Sequence, residues 1–395
     1  MTETKAQVEE AILATFEPSN YADASVVVAV PDATRDVDYQ LLLTPLLEQL
    51  ADAGADTTVM VALGLHRPMS AEERVPLEQA CEPFGVDIVE HDAASEAIRT
   101  LADDVSGGRA GWPTLPARYP EQLAEADRIV CVGSVEPHQY AGFSGGIKTV
   151  AIGCAGKETI DAMHGLEFLR MPGTTVGRVD ANPFNQALWE LGETLPPADA
   201  LMFVPAAFSS CHTVEFGPVR ACYESCRNVA EQVFFRRYRE LRDWFHLRVD
   251  GPKSVNFYQA SRAATYAALV DQPALRPGGL IVLEAKCPEG VGQGPGERAC
   301  ADAMRRGVSE LLDELDGTVT GTSAGGQQRA FVLARALRYC EICLVGAPPI
   351  DELEPMGIRQ FDSVDAALDE IEPGPTGEMI DKPMFRIPQL TQTAQ

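Results

Sequence analysis

The sequence predicts an α/β protein built from two α/β domains joined by long helices, with an active site in the cleft between them. Three features predict it. The chain of 395 residues exceeds what one ordinary hydrophobic core holds and suits two domains. Short apolar runs rich in β-branched residues alternate with helical patterns, the order expected of βα units. Polar, chemically capable residues gather just after the strands of the first half, where ligands bind in open α/β sheets.

Ser25 to Val30 reads as a buried strand, followed by a helix over Tyr39 to Ala53. Further strands are expected at Thr57 to Leu63, Val86 to Val89, Arg128 to Val132 and Leu201 to Val204. The Gly/Pro-rich stretch VSGGRAGWPTLPARYP reads as a surface loop. From Arg220 to Arg248, aromatic residues at spacings of three and four predict one long connecting helix. The second half carries a strand at Leu280 to Leu283, helices at Ala299 to Leu315 and Gln327 to Leu337, a strand at Glu341 to Val345 and a last helix in SVDAALDEI. The expected domains are 1–230, a helical connector 231–262 and 263–374, with the tail 375–395 packing back on the first domain.

Composition narrows the function. The 32 basic and 58 acidic residues leave a net charge of -26, a field that repels nucleic acid and anionic lipid. An anionic substrate would need arginines close by to overcome it. The ten cysteines show no paired spacing that completes a four-ligand zinc site, and Cys340 and Cys343 sit in an apolar run as small hydrophobes. The N-terminal MTETKAQVEE is polar, and no stretch approaches a membrane span, so a cytoplasmic protein is expected.

Three clusters carry chemistry. The first, Pro31-Asp32-Ala33-Thr34-Arg35, offers a guanidinium fork that matches a carboxylate, although Asp32 or Thr34 could equally cap the next helix. The second, Gly64-Leu65-His66-Arg67-Pro68, puts a candidate general base at a strand end, where a solvated loop histidine is the plain alternative. The third runs from Glu136 through His138, Gly142, Gly145 and Gly146 to Lys148, with His164 downstream. Its glycines let the backbone approach a ligand and expose N–H groups to anions. A Gly-rich turn with a solvated lysine is the alternative, but it leaves unexplained why three of the six histidines lie in these clusters.

Together DATR, GLHRP, PHQYAGFSGGIK, the downstream histidine and the segment Asn256-Phe257-Tyr258-Gln259-Ala260-Ser261-Arg262 resemble the nickel-dependent lactate racemase family of hydroxyacid racemases and epimerases. The resemblance runs over roughly 25–350. It implies a nickel pincer nucleotide bound covalently through Lys148, with His164 as the nickel ligand and Asp32, Thr34, Gly145 and Gly146 around the cofactor. His66 and His138 take the two acid/base places, and Arg35, Tyr258, Gln259 and Arg262 the substrate-binding ones. Separate cofactor-biosynthesis proteins are the implied partners, besides a small 2-hydroxy acid. The chain departs from the family pattern at Asp36, at Ile152-Gly153 and at Arg262, which replaces a substrate-contacting lysine. Lysine and arginine differ in reach and geometry, so a hydroxy acid other than lactate is expected.

The chemistry explains the residue types. The C2–H of a 2-hydroxy acid is a poor acid beside a carboxylate, so inversion through a planar 2-keto acid with a hydride acceptor is the easier route, and the hydride chemistry belongs to the cofactor. The protein must then supply an acid/base on either side of C2 and a carboxylate clamp. The same chemistry on a sugar acid or dicarboxylic hydroxy acid, and a non-catalytic ligand-binding relative, are the alternatives. The loop Gly290 to Gly296 is a weak dinucleotide motif and reads as a tight turn; His91, His212 and His246 have no motif context.

Overall fold

The computed structural model describes residues 2–33, 35, 37–206, 210–317 and 325–391. It is an α/β fold, and its contacts divide the chain into two units. Unit 1 comprises Met1–Glu136, Phe143–Met163 and Pro183–Glu231; unit 2 comprises Pro137–Gly142, His164–Asn182 and Gln232–Gln395.

Unit 1 is built on a six-stranded sheet of β1 (Ser25–Pro31), β2 (Asp56–Ala62), β3 (Asp87–Glu90), β4 (Arg128–Ser134), β5 (Ala198–Pro205) and β6 (Cys211–Pro218), in the order β6-β5-β4-β1-β2-β3. All pairs are parallel except β6 with β5. β1 lies centrally, with Val28 level with Val59 on one side and Val130 on the other. A strand covered on both faces must be apolar throughout, and Val26 to Val30 are all buried. Helix α1 (Thr2–Thr15) packs on β6, and α2 (Tyr39–Asp52) inserts Leu42, Leu43, Leu46, Leu47 and Leu50 into the same core. Asp38 starts α2 by accepting the Leu41 N–H at 3.0 Å. Helix α3 (Ala71–Cys81) opens with a capping box between Ser70 and Glu73. This unit also holds α4 (Lys148–Ala151), α5 (Pro183–Gly192) and α6 (Val219–Val233), besides the short helices Glu121–Ala124 and Lys157–Met163.

Unit 2 has a parallel five-stranded sheet. With β7 (Phe235–Tyr238) set aside, its strands are β8 (Arg242–Arg248), β9 (Leu275–Glu284), β10 (Glu341–Val345), β11 (Arg359–Phe361) and β12 (Gly377–Asp381), in the order β11-β10-β9-β8-β12. β7 pairs instead with β13 (Ile387–Leu390). Its longer helices are α7 (Phe257–Leu269), α8 (Pro295–Met304), α9 (Val308–Asp316), α10 (Gln328–Tyr339) and α11 (Val364–Ile371), and the short helix Leu166–Arg170 is also part of this unit. α11 covers Leu280, Val282, Cys343 and Val345, while α7 and α10 pack on each other and on β9.

Four expectations need correction. The long helix over Arg220 to Arg248 ends at Val233, and the aromatic residues beyond it belong to β7 and β8. Spacings of three and four do not separate a helix from two short strands joined by a turn, and sheet pairing decides. The tail returns to unit 2, not to the first domain: β12 is an edge strand of its sheet and β13 pairs with β7. Within the expected loop, Ala117–Pro120 forms an antiparallel pair with Ile98–Ala102. The helix over Ala299 to Leu315 breaks at Gly307, whose φ of +83° no helix accommodates. All ten cysteines are free, and all but Cys211 are buried. Among the described residues no helix is long and apolar enough to cross a membrane.

Candidate functional site

Unit 1 gathers the residues that follow β1, β2 and β4. β1 ends at Pro31, so Asp32 leaves the sheet at its C-terminal edge and is buried. β2 ends at Ala62; Gly64 then turns the chain in a left-handed conformation, its N–H bonding Gly153 O at 2.8 Å, and His66 follows. The Nδ1 of His66 meets Asp32 Oδ2 at 2.7 Å. The carboxylate is 7 % exposed and the imidazole 60 %, so a buried anion orients a ring that faces outward. An acid partner on Nδ1 fixes the proton there and leaves Nε2 free to accept one. Arg67 is not available to a ligand in the same way, because both guanidinium arms, at 2.7 Å each, hold Glu73.

Lys148 is the first residue of α4, reached through Gly145 and Gly146. Both glycines have positive φ, +84° and +61°. A Cβ at Gly145 would stand 2.8 Å from Ser134 O, and one at Gly146 3.0 Å from the Tyr223 ring. The loop therefore hugs the end of β4 and α6, and only glycine permits it. Burial of the Lys148 amine, ahead of repulsion by Arg35, lowers its pKa to about 7. A large share of the side chain is thus a neutral, nucleophilic amine at neutral pH. Arg35 is exposed and has no ion-pair partner among the described residues. Thr34 and Asp36 lie outside the described residues.

Unit 2 holds the others. The chain enters it at Pro137 and leaves it after Gly142, and the neck is closed in unit 1 by Ser144 N–H on Glu136 O at 2.7 Å. Within this excursion the backbone N–H groups of Tyr140 and Ala141 both donate to His138 Nδ1, at 3.2 Å. That ring nitrogen is an acceptor, so the neutral ring carries its proton on Nε2. Tyr140 lies between His138 and His164: its ring centroid is 5.9 Å from that of each. Asn182 donates to Tyr140 O at 2.7 Å and fixes the turn.

Helix α7 begins where Asn256 caps the Gln259 N–H at 3.0 Å, which places Tyr258, Gln259 and Arg262 in its first two turns. Gln259 Oε1 is buried without a hydrogen bond among the described residues. The loop Gly290 to Gly296 serves as the N-terminus of α8: Glu297 accepts the Gln293 and Gly294 N–H groups at 2.8 and 2.9 Å, so those donors are already used.

Arg329 escaped the sequence reading. It lies on α10, is 2 % exposed, and donates to Gln139 Oε1 and to Ser261 Oγ, the latter at 3.0 Å. Its guanidinium stands 5.8 Å from the Tyr258 ring, and that of Arg262 stands 5.9 Å from it. A signal was present: Arg329 shares the helical stripe of Val332, Leu333 and Ala336, all buried, and a charge on such a stripe is unusual. Burial pushes the Tyr140 phenol above its ordinary range, and the positive charges of Arg329, Arg335 and Arg262 act against that shift. Among the described residues, no three His, Cys, Asp or Glu side chains are placed to hold a metal ion, so a metal on His164 would need further ligands from an organic group.

Comparison with known proteins gives concordant matches. The family model described as lactate racemase N-terminal domain matches residues 3–177. The lactate racemase of Thermoanaerobacterium thermosaccharolyticum is 27% identical over 282 residues, which are 68% of this chain but only 61% of that protein. The lactate racemase of Lactiplantibacillus plantarum is 27% identical over 330 residues, 81% of this chain and 73% of that one. Among solved structures, the lactate racemase apoprotein from T. thermosaccharolyticum superposes with a TM-score of 0.84 at 20% identity, covering 98% of this chain and 93% of that one. A Thermotoga maritima protein superposes with a TM-score of 0.70 at 18% identity, over 99% and 98% of the two chains. At these identities the superpositions speak for the fold.

Proposed function

We propose that the chain is a member of the lactate racemase family, whose N-terminal domain model matches residues 3–177, and that it is an isomerase inverting C2 of a 2-hydroxy acid, with a nickel pincer nucleotide attached to Lys148. The observation that carries this reading is the Lys148 amine, held near a pKa of about 7 beside a glycine loop that admits no side chain. Such an amine fits covalent attachment of an acyl-type group, which a fully charged lysine resists. His164 would bind the nickel, and the absence of a three-ligand cluster among the described residues suits a metal held mainly by its organic carrier. When bound, the group supplies a hydride acceptor for C2.

The chain's own residues do the rest. Arg35, exposed and without an ion-pair partner among the described residues, offers its fork to the C1 carboxylate. His66, with Asp32 on Nδ1, takes the C2 hydroxyl proton on Nε2 and returns it. His138 serves the other enantiomer, where its Nε2–H would donate to the C2 oxygen, since the Tyr140 and Ala141 N–H groups occupy Nδ1. Gln259 Oε1, buried without a partner among the described residues, accepts a hydrogen bond from the substrate. Each acid/base group is worth on the order of 10²–10⁴ in rate.

Intact mass spectrometry tests the attachment. The chain made together with cofactor-biosynthesis proteins is expected to carry a covalent adduct that Lys148→Ala abolishes, along with racemisation of chiral 2-hydroxy acids. An adduct that survives in Lys148→Ala would refute the assignment.

A further inference from the structure

The glycine-rich loop Gly290 to Gly296 is weak as a dinucleotide motif, and the function proposed above gives it no task. Within unit 2 it acts on helix α7. The first turn of a helix presents N–H groups that find no partner inside the helix. For α7 the loop supplies two acceptors: Phe257 N–H donates to Gly290 O at 2.8 Å, and Tyr258 N–H to Val291 O at 3.0 Å. Asn256 Oδ1 accepts the third, the Gln259 N–H. One side chain ties both devices together. Glu297 Oε2 accepts the Gln293 and Gly294 N–H groups and so closes the loop, while its Oε1 accepts from Asn256 Nδ2 at 3.1 Å. Gly292, at φ +137°, must be glycine, because a Cβ there would run into that carboxylate. A carboxylate accepts and never donates, so Glu297 selects which end of the Asn256 amide faces it. With Nδ2 turned to Glu297, Oδ1 is left for the Gln259 N–H. Asn256 is 2 % exposed, so neither end can turn to solvent instead. The exposed Glu289 adds only a longer contact to Nδ2, at 3.4 Å.

We infer that Glu297 is a positioning residue for substrate binding: by setting the Asn256 amide and closing the glycine loop, it fixes the first turn of α7 and with it the direction in which Gln259 presents Oε1. The inference rests on the proposed function, in which Gln259 meets the hydroxy acid. Glu297 itself touches no ligand; its carboxylate acts through Asn256. Glu297→Gln sets the two amides at odds. If the new side-chain oxygen keeps the Gln293 and Gly294 N–H groups, its NH2 faces the NH2 of Asn256, and the Asn256 amide can answer only by reversing, which takes the acceptor away from the Gln259 N–H. Asn256→Asp keeps an acceptor for that N–H but sets two carboxylates against each other. The two substitutions together restore a match: the glutamine NH2 donates to the aspartate, and its oxygen still closes the loop.

Steady-state racemisation by the full chain, made with the cofactor-biosynthesis proteins, tests this. The D forms of 2-hydroxypropanoate, 2-hydroxybutanoate and 2-hydroxybutanedioate are the substrates, and the acid turned over fastest is used for the variants. Glu297→Gln is expected to raise KM roughly 3- to 10-fold with kcat within about twofold, the mark of a lost contact that ground state and transition state share. Asn256→Asp is expected to raise KM by a similar factor, and the two substitutions together to return it to within about twofold of the parent. Glu289→Gln, which leaves the nearer contact intact, should keep KM within about twofold. Hydrogen exchange with mass spectrometry over residues 256–262 of the unloaded chain follows the same series without turnover: faster in Glu297→Gln and in Asn256→Asp, slow again in the pair. A racemising chain whose KM is unmoved by Glu297→Gln overturns the inference, whatever happens to exchange, because Glu297 then only supports the fold. A pair no better than Asn256→Asp alone overturns it as well. If Glu297→Gln fails to fold, as judged by circular dichroism, Asn256→Asp alone and in the pair carry the comparison. A parent chain that inverts none of the three acids overturns the proposed function and this inference with it, a result distinct from an unmoved KM.

Discussion

At the scale of single residues, the working groups are defined by what each buried partner does to them. Asp32 turns a loop histidine into an oriented one, and burial turns Lys148 from a cation into an amine. The second effect has a cost that depends on pH. Lys148 titrates near 7 in the folded chain and near its ordinary 10.5 in the unfolded one. Between those values the unfolded chain binds one more proton, so stability rises with pH across that window; below pH 7 the full penalty of the buried ammonium is present. Lys148→Met is therefore expected to unfold at higher denaturant than the parent at pH 6, by on the order of 1–3 kcal/mol, with the gain shrinking toward alkaline pH. Urea melts at a series of pH values measure it. A difference that stays constant from pH 6 to 10 would show that the amine is not shifted. His66 and Lys148 were legible in the sequence because they follow strands, but the Asp32–His66 contact joins positions 34 apart, and no local spacing rule encodes it.

At the scale of elements, turns and strand ends decide where side chains go. Gly142 shows how narrowly: at φ +78°, a Cβ there would stand 2.0 Å from Arg178 O. Gly142→Ala is expected to destabilise the chain by about 2–4 kcal/mol, against about 1 kcal/mol for Gly107→Ala, where φ is +61° but no atom lies within 4 Å. Thermal unfolding of the two variants makes the comparison; equal losses would mean that the Arg178 carbonyl yields freely. The strands of the first half were readable from their apolar runs, since a parallel strand buried on both faces has no other composition open to it. β7 and β8 were not, because their aromatic residues mimic a helical stripe and only pairing with β13, β9 and β12 fixes them as strands. Arg329 was hidden for the opposite reason: a helix was evident, but its buried face becomes visible only once α7 packs against it.

At the scale of the whole molecule, the division into units does not follow the order of the chain. His138 and His164 lie in the first half of the sequence yet belong to unit 2, with Gln232–Gln395. A fragment of residues 1–231 should therefore keep slowly exchanging amides in β1, β2 and β4 but lose protection over 137–142 and 164–182, as hydrogen exchange with mass spectrometry can record. Undiminished protection in those two stretches would mean that they need nothing from the later chain. The alternation of apolar runs foretold two α/β parts, but it could not foretell this interleaving, because the segments that cross over carry no compositional mark.

The Gln139–Arg329 contact spans 190 positions. Two parents recombined at any single point between them would hand down one partner each, so the glutamine and the arginine that meet would come from different lineages. Shuffled libraries drawn from distant relatives should thus sort into survivors that inherited 137–142, 164–182 and the later half together, and few others. For anyone wishing to graft a new specificity onto this scaffold, the smallest transferable module is three stretches of chain, not one.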